Sequence, residues 1–145
     1  MKKLIFGMMM LMGSISYACN GDAIPSPETK KIASWYGKPF HGRLSASGYV
    51  YDMNEMTAAS MDYPFGTVLR VTNRRNDNYV DVVVTDTGSF KKKYGRDIDL
   101  SKAAFAKLDK LGYGLLEVDI MVIDDTKTFK YKHGKVKFDK TKYGI

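Results

Sequence analysis

The stretch VLRVTNRRNDNYVDVVVTDTG, residues 68–88, holds two apolar runs of different character. In the first, Leu69 and Val71 alternate with Val68, Arg70 and Thr72, the period-two pattern of a strand with one face in a core and the other in water. In the second, Val82, Val83 and Val84 follow one another without a polar interruption, so this strand is expected to be buried on both faces. Asn and Asp residues part the two runs, and Asp86, Thr87 and Gly88 end the second. Three further runs, residues 33–36, 56–59 and 116–123, are also strand-like and are bounded by Gly, Pro, Asn or Asp. Together these short strands suggest a closed, mainly β barrel.

One segment departs from that pattern. Ala103, Ala104, Phe105 and Leu108 recur at helical spacing behind Ser101, a good N-cap, and Gly112 follows as a stop, which predicts one short helix lying over the barrel. Beyond residue 123, TKTFKYKHGKVKFDKTK alternates apolar residues and lysine on both sides of His133-Gly134, the pattern of a β-hairpin, with seven lysines to one aspartate. Two roles fit it: an edge kept from aggregating by its charges, or a basic strip that follows an anionic polymer.

At the other end, Lys2 and Lys3 precede the apolar residues 4–12, and Ser16 and Ala18 flank Tyr17, so residues 1–18 read as a secretory signal. The apolar run falls short of the roughly 20 residues that span a bilayer. Cys19, the one cysteine of the chain, excludes an internal disulfide. At the first mature position it could carry a lipid anchor; ordinary cleavage would leave a free thiol on a soluble protein. Residues 19–31 are rich in Pro, Ser and charge and read as a linker, residues 32–123 as the domain, and residues 124–145 as a basic tail. The net charge is +7, of which Lys2 and Lys3 leave with the signal. An exported basic protein is expected to meet an anionic cell-wall polymer and no nucleic acid.

The two histidines are His41 and His133, the second in the expected turn, so no Ser-His-Asp arrangement can be built. No His/Cys spacing suits a metal, and no Gly-rich segment opens a helix as a phosphate cradle would, so neither metal nor cofactor is expected. What remains is a set of carboxylates in loops or at strand ends: Asp52, Glu55, Asp86, Asp97 and Asp99. Carboxylates are the usual equipment for breaking a glycosidic bond, where the leaving oxygen must be protonated. Asp86 ends a buried strand, where burial would raise its pKa towards that of an acid catalyst; an Asx turn is the structural reading of the same position. Asp99 stands between Ile98 and Leu100, which point to the opposite face, and could be a second acid or a hydrogen bond on the approach to the helix.

In order and spacing, ASWYGKPFHGRLSASG, YDMNEMTAAS, PFGTVLRVTN, VTDTGSF and RDIDLSKAAFAKL resemble the RlpA-like family, rare lipoprotein A, over residues 32–123. The resemblance implies a six-stranded double-psi β-barrel and a secreted or lipid-anchored protein of the bacterial envelope. For active members it also implies lytic cleavage of peptidoglycan glycan strands between N-acetylmuramic acid and N-acetylglucosamine, with a 1,6-anhydro product. A more distant similarity is to expansins. The family's acid after Ser-Gly is Tyr49 here, its Asp three residues later is Asp52, and its His eight beyond that is Ser60. Its Asp-Arg-Gly-Pro-Phe is Asp86-Thr87-Gly88-Ser89-Phe90, without the Arg, while Arg96 and Asp99 match. The resemblance thus implies Asp52 as the main acid and base, assisted by Asp86 or Asp99. Substrate contacts are expected from Tyr36, Tyr49, Ser60 and Arg96, on a monomer with a lipid on Cys19 as its membrane link. Trp35, Tyr36, Tyr49, Tyr51 and Tyr63 are candidates for a sugar-stacking floor, although Trp35, the one tryptophan of a small barrel, is better suited to its core. Because Tyr49 and Ser60 replace an acid and a histidine, an expansin-like module that binds wall glycan without cleaving it is the second reading.

Overall fold

A computed structural model describes residues 30–88, 93–130 and 138–145 of the chain. The signal, Cys19, all of the linker but its last two residues, and the His133-Gly134 turn lie outside the described residues. Six strands, β1 (Lys31–Tyr36), β2 (Thr57–Ser60), β3 (Val68–Asn73), β4 (Tyr79–Asp86), β5 (Ile98–Ser101) and β6 (Leu116–Asp124), close into a barrel in the order β1-β5-β2-β4-β3-β6.

The two runs of residues 68–88 occupy adjacent places in it. β3 buries Leu69, Val71 and Asn73 and leaves Val68, Arg70 and Thr72 half-buried, and it pairs antiparallel with both β4 and β6. In β4 the continuous run is covered on both sides, as its composition demands. Val82 and Val84 join Leu69, Val71, Ile98, Leu100, Phe105 and Val118 inside the barrel. Val83 points outward into a second apolar cluster with Tyr49, Tyr51 and Phe138. Burial of side chains this size supplies roughly 1.5–3 kcal/mol each before conformational entropy is subtracted.

The pairs β1/β5 and β2/β4 are parallel, so connecting segments must cross the barrel rather than turn back as hairpins. β5 is the strand that the run pattern does not announce. Its four residues are all buried, yet it is short, contains Asp99, and passes directly into helix α1 (Lys102–Leu108). Ser101 caps that helix, its Oγ accepting the Ala104 N–H at 3.1 Å, and Ala104, Phe105 and Leu108 carry the helix face into the core. The helix ends at Leu108, before Gly112, and a single 3-10 turn (Leu111–Tyr113) leads to β6.

The described parts of the tail do not lie as a free edge hairpin. Phe129 N–H donates to Phe65 O at 2.9 Å, and a one-turn helix, α2 (Lys140–Tyr143), follows Phe138. Phe138 is buried against Tyr49, and Tyr143 stacks on Phe138 at 4.7 Å between ring centroids. Alternation gave these aromatics an apolar face; the second cluster is where that face is buried.

Candidate active site

The register of four neighbouring strands sets one row of side chains across the outside of the barrel. Asp86 of β4 lies opposite Ala59 of β2, Ala59 lies opposite Asp99 of β5, and Asp99 lies opposite Ser34 of β1. The flanking Ala33, Ala58, Ile98 and Leu100 point inward and are fully buried, so the row faces away from the core. At one strand spacing per step, the Asp86 and Asp99 backbones stand roughly 10 Å apart, with only the methyl of Ala59 between them. That small residue leaves the floor of a groove of about 430 Å³, lined by Trp35, Tyr36, Phe40, Asp86, Arg96 and Asp99 among others.

The two carboxylates are held differently. Asp86 Oδ1 accepts backbone N–H groups from Thr87 at 2.8 Å and Ala46 at 3.1 Å, and among the described residues no hydrogen bond reaches its other oxygen. Burial pushes its pKa up, and the two N–H donors offset part of that. Asp99 Oδ1 accepts the Ser34 hydroxyl and lies 3.2 Å from Arg96 Nη1, which also donates to Ser34 Oγ at 2.9 Å. Burial raises the Asp99 pKa too, against the lowering influence of Arg96.

Tyr36 borders both carboxylates. Its ring stacks on Tyr51 at 4.2 Å and meets Phe40 edge-on at 5.8 Å, and burial, then Tyr51, then Asp86, hold its phenol well above the usual tyrosine range. The Tyr36 hydroxyl is buried and has no hydrogen-bond partner among the described residues. Phe40 is half exposed at the rim with the Arg43 guanidinium 5.9 Å from its ring, a surface suited to a sugar face. Trp35 serves both groove and core, packing on Phe105 and donating Nε1–H to Leu111 O at 3.2 Å.

The other residues singled out in the sequence lie elsewhere. Asp52 Oδ1 accepts Asn54 N at 2.9 Å and Asn54 Nδ2 at 3.1 Å, an Asx turn at the surface, and it does not line the groove. His41 Nδ1 is 3.6 Å from Asp52 but accepts the Met53 N–H at 3.2 Å, so the two are neighbours without a mutual hydrogen bond. Tyr49 is 1% exposed and Ser60 is 2% exposed, both out of reach of a glycan in this conformation. Tyr49 donates its hydroxyl to Glu55, while Ser60 Oγ accepts the Asp62 N–H at 3.2 Å. Tyr51 and Tyr63 belong to the two apolar clusters. Among the groove residues not singled out in the sequence are Phe40 and Ala59. The run of small residues at 58–60 was the available signal for the last, since a small side chain on an outward face opens space. Among the described residues no group of three His, Cys, Asp or Glu could hold a metal ion, and no helix is long and apolar enough to cross a membrane.

A closed six-stranded barrel with two parallel pairs and a carboxylate-bearing groove on its outer face defines the double-psi β-barrel class. Within that class the chain belongs to the lytic transglycolase family, whose model matches residues 28–120. A protein of Campylobacter jejuni named endolytic peptidoglycan transglycosylase RlpA is 44% identical over 92 residues, which is 63% of this chain and 33% of that protein. The protein of the same name from Vibrio cholerae is 45% identical over 98 residues, 68% of this chain and 36% of that one. The chain therefore matches about a third of the length of these curated relatives. Among solved structures the Streptomyces papain inhibitor superposes with a TM-score of 0.53 at 23% identity, over 66% of this chain and 93% of that one, a likeness of fold.

Proposed function

We propose that this chain cleaves the glycan strands of peptidoglycan as an endolytic lytic transglycosylase, at the bacterial envelope, with Asp86 as the group that moves the proton. The observation that carries this is the row Asp86-Ala59-Asp99, two partly desolvated carboxylates facing one groove with aromatic walls. Among the described residues Asp86 has no ion-pair partner and no hydrogen bond to its second oxygen, and burial raises its pKa, attributes that suit a carboxyl acting as an acid. Asp99, beside Arg96, is the better candidate to remain ionised and to oppose positive charge developing at the anomeric carbon. This moves the principal role from Asp52, which the resemblance favoured, to Asp86.

The reaction needs no second substrate. Asp86 gives its proton to the oxygen between N-acetylmuramic acid and N-acetylglucosamine, and the bond from that oxygen to the muramic acid C1 breaks. The same carboxylate then takes the proton of the muramic acid 6-hydroxyl as its oxygen bonds to C1, which closes the 1,6-anhydro ring and restores the acid. One carboxyl thus serves both steps, whereas a hydrolase requires two at a fixed separation.

Incubating wild type and the Asp86→Asn, Asp99→Asn and Asp52→Asn variants with purified sacculi, with mass spectrometry of the soluble products, tests the assignment. Loss of one acid/base group should lower release of anhydro-muropeptides by about 10²–10⁴-fold in Asp86→Asn, with Asp52→Asn close to wild type. An inactive Asp52→Asn beside an active Asp86→Asn refutes it. Burial of Tyr49 and Ser60, where the family carries its acid and histidine, favours the second reading of a glycan-binding module; pelleting with sacculi without release is its signature. Lipid attachment at Cys19 and a monomeric state complete the proposal, the first checked by intact mass of the protein from its host.

A further inference from the structure

The family match ends at residue 120, yet the segment beyond β6 makes contacts that lead to the groove. Four sets of contacts hold it. Phe129 bridges to Phe65. Tyr143 donates its hydroxyl to Lys127 O at 2.6 Å, and Lys127 Nζ donates to Lys142 O at 3.1 Å, which ties the two described parts of the tail together. Phe138 packs edge-on against Tyr49 at 5.4 Å. Lys140 Nζ donates to Glu55 Oε1 at 2.8 Å and stands 5.3 Å from the centroid of the Tyr49 ring, while the Tyr49 hydroxyl takes the other Glu55 oxygen.

Tyr49 is the hinge between the tail and the chemistry. It belongs to a small hairpin of residues 42–51, closed by Gly42 N to Tyr51 O at 2.8 Å, Tyr51 N to Arg43 O at 2.9 Å and Ser45 N to Tyr49 O at 2.7 Å. The Ser45 hydroxyl lies within hydrogen-bond reach of Tyr49 O at 2.8 Å and of Thr85 O at 3.0 Å, which seats the turn against the end of β4. The next residue, Ala46, supplies the N–H that Asp86 accepts. The tail grips the side chain of Tyr49, and the backbone of Tyr49 and Ser45 carries Ala46 to the carboxylate.

We propose that the C-terminal segment is a strap that fixes the 42–51 hairpin on the barrel, and that Lys140 and Phe138 are positioning residues for the Asp86 carboxylate. The inference rests on the role given to Asp86 above for its catalytic meaning, but its structural content is independent of any activity. Besides the Ala46 and Thr87 amides, the titratable and charged groups that border Asp86 among the described residues are Tyr36 from β1, Asp99 from β5, and Arg96 before it; Tyr36 also packs against the apolar cluster that holds Phe138.

The test uses the full chain, isotopically labelled, as Lys140→Gln, Lys140→Arg and Phe138→Ala. Three quantities are read by NMR: exchange of the Ala46 amide, the titration of the Asp86 carboxyl carbon, and exchange of Val71 and Ile120 as reporters of the barrel. In Lys140→Gln, local opening of the hairpin should speed Ala46 exchange by about tenfold while Val71 and Ile120 stay unchanged. The Asp86 midpoint should move up, because a hydrogen bond that favours the carboxylate is loosened. Lys140→Arg should restore both readings, and Phe138→Ala should exceed Lys140→Gln. If Phe138→Ala opens the barrel itself, Val71 reports it and Lys140→Gln alone decides. Ala46 exchange and Asp86 titration unmoved in Lys140→Gln, or moved equally in Lys140→Arg, overturn the proposal. A protein that leaves sacculi intact yet shows these shifts would defeat the transglycosylase reading and leave the strap standing.

Discussion

Replacing Arg96 by Met removes the cation from beside Asp99 and keeps a side chain of similar length. Arg96 Nη1 sits 3.2 Å from Asp99 Oδ1, with the two side chains 25% and 13% exposed. Stranding a fully buried charge costs about 3–5 kcal/mol; the partial exposure of this pair scales that to roughly 2–3 kcal/mol near neutral pH. For a chain of this size that corresponds to a fall in Tm of roughly 5–10 °C. The sign of the pH dependence follows from the raised pKa of Asp99. A carboxyl whose folded pKa lies above its unfolded one costs stability when ionised. The cost is fully present above the folded pKa and disappears below the unfolded one. Losing Arg96 removes a lowering influence, so the folded pKa rises further and the cost of ionisation grows. The deficit of Arg96→Met against wild type should therefore be largest at pH 7.5 and shrink as pH falls through the folded pKa of Asp99. Arg96 also packs on Tyr94, with 5.1 Å to the ring centroid, so a double-mutant cycle with Asp99→Asn is needed to separate charge from packing. Thermal unfolding of the four proteins across pH gives the answer. A deficit that is the same at every pH, or singles that add without coupling, would refute the reasoning.

Two smaller perturbations follow from local geometry. Ser101→Ala loses the N-cap on Ala104 and the donor to Glu55 O at 2.6 Å; it should cost about 1–2 kcal/mol by chemical denaturation without changing the folded spectrum. Gly66→Ala places a Cβ 2.6 Å from both Lys127 O and the Tyr143 hydroxyl at a residue with φ +85°. Beyond the roughly 1–2 kcal/mol of a left-handed conformation, it should push Tyr143 off Lys127, seen as loss of ring contacts between Tyr143 and Phe138.

What was legible in the sequence was whatever depends on near neighbours in the chain. The alternation of residues 68–72, the unbroken valines of β4 and the Ser101 cap are local, and each stands in the structure as written. β5 was hidden because four residues cannot show a period and the helix begins where the strand ends. Asp86 and Asp99 could be named as strand-end carboxylates, but their partnership passes through Ala59 and depends on which strands are parallel, a property of the closed barrel. Asp52 drew attention as a loop carboxylate, and Asn54, two residues on, was the local sign of an Asx turn. The tail showed its apolar alternation but not its target, since the face it covers is built from Tyr49, Tyr51 and Val83, far away in the chain.

The replacement at position 49 has a physical consequence that the comparison of motifs alone does not show. Tyr49 is almost wholly buried, its hydroxyl bonded to Glu55, its ring under Phe138 and its pKa raised by burial and by that hydrogen bond. A glutamate put in its place would lose the aromatic contact and set a second carboxylate beside Glu55 in an apolar surround, where like charges cannot both ionise cheaply. Lys140 could then pair with only one of them well. The phenol, Glu55, Lys140 and Phe138 are therefore one unit: Glu55 accepts from the phenol and from Lys140, and Phe138 covers the phenol ring. Restoring the family's acid at this position without removing the strap would add an unpaired charge rather than a catalyst. This is consistent with the proposal above, which puts the acid chemistry on the groove side of the barrel, where Asp86 and Asp99 stand on either side of Ala59.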